Sequence, residues 1–238
     1  MTASRNPNCE KSIISMRRKQ REVERGSQYW IQYLVNENPT LLNHHIGCSI
    51  KCLDPDQIKW LSPRKDDAYA EYCDAEFINL LAIKPLRIPL ERFWPQGGPC
   101  WDALGKAGAD KIILVEAKSH IAELASNPCQ ARSLASIELI NASLSKTKVF
   151  FDAHEYVDWT KCFYQYANRL AHLRFLREDN NINAFLIFIY FINDSKMEGP
   201  TCKPQWQGAI DLLHSFLGLK IKKLSPFVAD VFIDVANL

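Results

Sequence analysis

The segment Lys111 to Lys118 constrains the fold more than any other part of the chain. It reads Lys-Ile-Ile-Leu-Val-Glu-Ala-Lys, an apolar, β-branched run closed by an acid and a base. Side chains of a strand alternate between two faces. Ile113, Val115 and Ala117 therefore share one face, and Ile112, Leu114, Glu116 and Lys118 share the other. Both faces are apolar for most of the length, as expected of a strand covered on both sides. A carboxylate and an ammonium in such a strand are costly unless they are paired or neutralised by a metal.

A second strand is expected just before it, over Trp101 to Ala107, with Gly105 and Gly108 at or near the junction, so the two form a hairpin. A three-residue loop at Gly108-Ala109-Asp110 places Ala107 opposite Lys111. The same register places Asp102 opposite Glu116, with Cβ atoms about 4.5–5.5 Å apart. Two carboxylates so close raise one pKa unless a cation lies between them. A hard divalent cation, Mg²⁺ or Mn²⁺, suits such oxygen ligands, so Asp102 and Glu116 are the expected metal ligands. Lys118 lies on the same face, placed to orient or deprotonate a water or to neutralise developing charge. His120 has the same parity if the strand continues that far.

Pro99-Cys100-Trp101-Asp102 followed by Glu116-Ala117-Lys118 resembles the motif of the PD-(D/E)xK phosphodiesterases, the restriction-endonuclease-like superfamily. The family pattern has proline directly before the aspartate; here two residues intervene. The resemblance implies that Asp102 and Glu116 bind Mg²⁺ and that Lys118 assists the attacking water. Many members add a glutamate from the first core helix; Glu71 is the candidate, with Asp74 and Glu76 behind it. The order helix, strand, hairpin, helix, strand matches the family core over roughly residues 66 to 192. The implied activity is metal-dependent cleavage of nucleic acid, DNA more than RNA, with dimerisation a common family arrangement. A member of the family can also keep the fold and lose the chemistry, leaving a binding or assembly protein.

The rest of the chain reads as alternating helices and strands. A helix is expected over 9 to 37, with Ile13, Met16, Val23, Trp30 and Leu34 as its stripe, and a second from an N-cap at Asp66 or Asp67 to Leu81. Leu86 to Phe93 reads as an edge strand containing Pro89. Helices follow over Asn127 to Ser145 and Asp158 to Arg177. A strand over Phe185 to Ile192, a helix from Pro204 to Gly218, and a strand over Phe227 to Val235 complete the chain. The expected class is α/β: a central mixed sheet flanked by helices on both faces, in one domain over 1–238 with residues 1–40 as a helical extension.

The helix at 158 to 177 carries Lys161, Gln165, Asn168 and His172 on one stripe. They read either as a polar wall of the site, with Gln165 a candidate catalytic group, or as a solvated face. Arg169 and Arg174 fall off that stripe and are expected in packing or ion pairs. His44, His45, Cys48 and Cys52 lack a second ligand pair at zinc-site spacing. The basic residues from Arg17 to Arg25 are interrupted by Glu22 and Glu24, and Tyr29, Trp30 and Tyr33 suit a core as well as base stacking.

Composition sets outer limits. A net charge of +2, from 29 basic and 27 acidic side chains, means that any phosphate-binding surface is a local patch. No signal peptide is visible, so the eight cysteines are expected to be reduced and the protein cytoplasmic. The longest apolar run, Phe185 to Ile192, is too short to span a bilayer, so no membrane partner is expected. G-x-S-x-G, P-loop and dinucleotide fingerprints are absent.

Overall fold

The strand Lys111–Lys118 lies at the centre of a five-stranded sheet. The computed structural model describes residues 17, 18, 20, 22–83 and 85–238. In chain order the strands are β1 (Arg17–Arg18), β2 (Ile58–Ser62), β3 (Glu71–Cys73), β4 (Cys100–Trp101), β5 (Ala103–Ala107), β6 (Lys111–Lys118), β7 (Asn183–Ile192) and β8 (Val228–Asp234). The helices are α1 (Gly26–Asn36), α2 (Pro39–Ser49), α3 (Asp74–Leu80), α4 (Leu134–Phe150), α5 (Tyr164–Arg174), α6 (Lys203–Leu217) and α7 (Ile221–Leu224).

The large sheet has the order β2-β5-β6-β7-β8. β2, β5 and β6 form an antiparallel meander, and β7 and β8 add in parallel beside β6. The parallel steps need long crossovers, supplied by α4–α5 before β7 and by α6–α7 before β8. The sheet is therefore mixed, and the chain is α/β.

The period-two pattern of β6 sorts the core into two layers. Ile113, Val115 and Ala117 pack with Ile31, Leu34, Leu42 and Ile46 of α1 and α2. Ile112 and Leu114 face the other way, with Phe77 of α3, Leu144 of α4, Leu170 of α5 and Leu213 of α6. Helices thus cover both faces, and Glu116 and Lys118 point into the second layer. Among the described residues no helix is long and apolar enough to cross a membrane.

A second, small sheet has the order β1-β3-β4. It accounts for several departures from the local reading. Residues 9–16 of the expected N-terminal helix, with Ile13 and Met16, lie outside the described residues, as do Lys19 and Arg21. Arg17–Arg18 pair with β3, and helix begins only at Gly26. The helix expected from Asp66 or Asp67 also fails. Ala68, Tyr69 and Asp74 adopt left-handed backbone angles that end helical geometry on either side of Glu71–Cys73. That segment pairs as a strand instead, and α3 starts at Asp74.

The antiparallel pairing sets Cys73 opposite Cys100 with Cα atoms 4.2 Å apart, and the two form a disulfide. This corrects the expectation that all cysteines are reduced. Cys48, Cys52, Cys129, Cys162 and Cys202 are free.

The expected strand at Leu86 to Phe93 is a loop with one 3-10 turn over Leu90–Arg92, since Pro85 and Pro89 cannot donate to a ladder. The helix expected at Asn127 starts instead at Leu134, capped by Ser133, whose hydroxyl accepts from Ser136 N. α5 starts at Tyr164, later than Asp158, and ends in a π-turn over Phe175–Asp179. The β6 hairpin, β7, α6 and β8 fall where the periodicity sets them. Gly218 caps α6 with φ 66°, and Leu219 N donates to His214 O.

His172, expected on a polar stripe, lies buried among Phe77, Phe93, Trp94 and Trp101. Its Nδ1–H donates to Asn168 O, and burial holds the ring neutral with a pKa down to about 3. The unfolded chain takes up this proton near 6.5, the folded chain only near 3, so stability is lost as pH falls between those values. His172→Phe is expected to lessen that loss. Between about pH 7 and pH 5, urea unfolding of the parent should lose about 2 kcal/mol more than the variant.

Candidate active site

The site grows from the point where the chain changes sheets. β4 pairs with β3, β5 pairs with β6, and Asp102 is the residue between them. The hairpin has the expected register: Ala107 faces Lys111 and Ala103 faces Val115. The ladder stops there, one step short of a direct Asp102–Glu116 pair. Asp102 N still donates to Val115 O, at 3.2 Å, and the chain then bends. The Asp102 carboxylate takes the place of the missing strand: its Oδ2 accepts from Ala117 N at 2.7 Å.

Glu116 is 2% exposed and gives both carboxylate oxygens to cations. Lys118 Nζ bonds Oε1. Arg169 of α5 bonds Oε2 through Nε at 2.7 Å and through a terminal nitrogen at 2.6 Å. The remaining Arg169 donors reach Cys100 O and Asn168 Oδ1, both at 2.9 Å, and its guanidinium stacks 5.0 Å from the Trp101 ring. Arg169 thus ties β6, β4 and α5 together.

Electrostatics follow from this packing. Burial raises Asp102 well above the usual carboxylate range, and the nearby Glu116 and Glu71 charges push the same way against Lys118. Burial alone would raise Glu116 too, but Arg169 and Lys118 overcome it and hold Glu116 below its ordinary value. Lys118 is raised: burial opposes its charge, and Glu116 with Asp102 more than offsets that. The centre therefore holds three acids, Glu71, Asp102 and Glu116, around Lys118 and Arg169.

The other expected residues fall as follows. Glu71 is buried on β3, on a strand where a helix was expected, with Gln28 Nε2 3.5 Å from its Oε1. Asp74 instead accepts from Gly97 N and Gly98 N, fixing the loop after Trp94. A Cβ at Gly98 would come within 2.9 Å of the Asp74 carboxylate oxygen, so any larger residue there would displace the clasp. Glu76 lies half-buried on α3. β6 ends at Lys118, and His120 caps the following turn, its Nδ1 accepting from Ala122 N.

Gln165 stands in the first turn of α5. With Glu123 it lines a small cavity against Glu116 and Lys118, and also a cleft of about 780 Å³ outside it. Glu123 takes the N–H groups of Ser119 and His120 on one oxygen and the Ser27 hydroxyl on the other. Asn168 also lines the cleft, whereas Lys161 is exposed and paired with Asp158. His44 and Cys48 approach at 3.7 Å. Among the described residues no group of three or more His, Cys, Asp or Glu is arranged to hold a metal ion.

Arg169, expected in packing or an ion pair, belongs to the site itself. The signal was there: Arg169 follows Gln165 by four residues, and Ala167, Leu170, Ala171 and Leu173 around it are buried. An arginine in so apolar a setting needs a buried acid.

No family model, curated protein or solved structure matches the chain.

Removing one partner of a buried ion pair leaves the other uncompensated. Arg169→Ala is therefore expected to destabilise the metal-free protein by about 3–5 kcal/mol in urea unfolding. Arg169→Ala combined with Glu116→Gln should cost clearly less than the sum of the two single changes.

Proposed function

We propose that the protein is a divalent-metal-dependent nuclease of the restriction-endonuclease-like kind, hydrolysing phosphodiester bonds. The observation that carries the reading is the meeting of Glu71, Asp102, Glu116 and Lys118 at one end of β6, beside an open cleft. The order helix, strand, hairpin, helices, strand supports it, although α2 and β2 fill the first two places, over residues 39–192, and not the helix and strand expected within 66–93.

The donors suit Mg²⁺ or Mn²⁺ in kind. They are hard carboxylate oxygens, and the repulsion between Asp102 and Glu116 is what a cation relieves. In this arrangement Glu116 is already neutralised by Lys118 and Arg169, so a cation and Arg169 compete for its Oε2. Asp102 and Glu116 would hold the metal, which supplies charge neutralisation at the phosphate and Lewis-acid activation of water. Lys118 holds a proton at Nζ beside the acids and offers positive charge to the phosphate. Glu71 tunes Asp102. Gln165, between cavity and cleft, orients what enters.

The occupied Glu116 also favours a second reading, a non-catalytic binding or assembly protein in which Arg169 permanently replaces the cation. The two readings separate by calorimetric titration with Mn²⁺, which only the first expects to bind. Under the first, Mn²⁺ should raise the melting temperature of Arg169→Ala by more than that of the parent, because the competitor is gone.

Activity is tested on single- and double-stranded DNA and RNA with Mg²⁺ or Mn²⁺. Asp102→Asn and Lys118→Ala are each expected to slow cleavage by about a hundredfold or more. Cleavage undiminished in both variants would refute the assignment.

A further inference from the structure

The cleft outside the acidic centre is built from four separate segments: the loop from Trp94 to Gly97, residues 125–132, the start of α4 and the first turns of α5. Its volume of about 780 Å³ lies within the range of roughly 300–1,000 Å³ usual for small-ligand pockets. Its lining is dominated by uncharged polar groups and includes Gln96, Asn127, Gln130, Gln165 and Asn168; the Gln130 amide also donates to Pro128 O, and the Asn168 side-chain oxygen also accepts from Arg169. Arg132 is its one cation and Glu123 its one anion among the described residues.

That chemistry selects a ligand. A groove that tracks several phosphates of a backbone, duplex or single-stranded, needs rows of lysine and arginine, so a cleft with one cation fits a single nucleotide and not a run of backbone. This cleft has a single exposed arginine. Each carboxamide offers a donor and an acceptor side by side. The Watson–Crick edge of a nucleobase offers the complementary arrangement and is free only when the base is unpaired; the major-groove edge of a duplex would have to be reached by a projecting element, not by a recessed cleft. The walls are fixed in advance. Asp74 pins Gly97 and Gly98, Cys129 N donates to Thr160 O, and Gln165 N donates to the Ser126 hydroxyl. The cleft meets the acids through Gln165 and Glu123, which line both spaces.

We propose that this cleft seats an unpaired nucleobase, so that the substrate of the neighbouring centre is single-stranded nucleic acid. The proposal rests on the phosphodiesterase reading of the acidic centre. Arg132 meets the phosphate of the seated nucleotide, the carboxamides take the base edge, and Gln165 stands where the strand passes from cleft to acids. A duplex enters only after a base is pulled out of its stack, at the cost of unpairing.

The test uses the full chain carrying Asp102→Asn, with fluorescently labelled DNA and anisotropy as the readout. Three probes are compared: a short single strand, the same strand with an abasic stretch, and its duplex. The single strand is expected to bind about tenfold tighter than either of the others, one good carboxamide–base pair's worth of discrimination. Adding Asn127→Ala and Gln130→Ala, both at exposed positions, should remove that advantage without changing the melting temperature. Equal affinity for single strand and duplex, no binding of either, or binding unaffected by the cleft substitutions overturns the proposal. Cleavage by the parent with Mn²⁺ is measured separately. Duplex cut as fast as single strand, with no effect of the cleft substitutions, overturns the base site while leaving the nuclease standing. A single strand held through the cleft yet never cut removes the nuclease and leaves a base-binding cleft.

Discussion

Glu116 is the buried charge around which the rest of the site is arranged. A carboxylate 2% exposed in the central strand cannot stand alone. It draws Lys118 from its own strand and Arg169 from α5, and Arg169 in turn holds Cys100 O and the Trp101 ring. The position of α5 against the sheet, the bend at Asp102 and the attachment of the small sheet all meet at this guanidinium. Its net worth to stability is modest, because desolvation offsets much of the attraction. Its worth to specificity is larger: any arrangement that separates α5 from β6 strands a charge.

Asp102 shows how a backbone requirement becomes a chemical one. β5 begins only at Ala103, so Ala117 N–H has no strand partner on that side, and a buried N–H needs an acceptor. The Asp102 carboxylate meets that need, and in doing so comes within range of Glu116. The elevated proton affinity of Asp102 follows from the same geometry. The ladder and the acidic pair are two aspects of one bend.

What could be read along the chain was what short-range patterns encode. The β5–β6 hairpin, β7, α6 and β8 carry strong periodicity and clear punctuation at Gly108, Pro204 and Gly218, and they fold where those signals point. Glu71–Cys73 is the counterexample. Locally it belongs to a helix, but partners at residues 17–18 and 100–101 convert it to a strand, and no local pattern announces partners so far away. Asp102, Glu116 and Lys118 were legible because parity and a turn length set them. Arg169 was not, because its place depends on how α5 lies on the sheet.

The bridge between Cys73 and Cys100 closes the base of the excursion formed by residues 74–99, and Asp74 clasps its far arm at Gly97 and Gly98. Its returning arm, Trp94 to Gly97, forms one wall of the cleft just before the bridge. Phe77, Ile78 and Leu81 anchor its first arm in the core and Phe93 and Trp94 its second, so drift in descent is confined to the largely exposed stretch 85–92 between them.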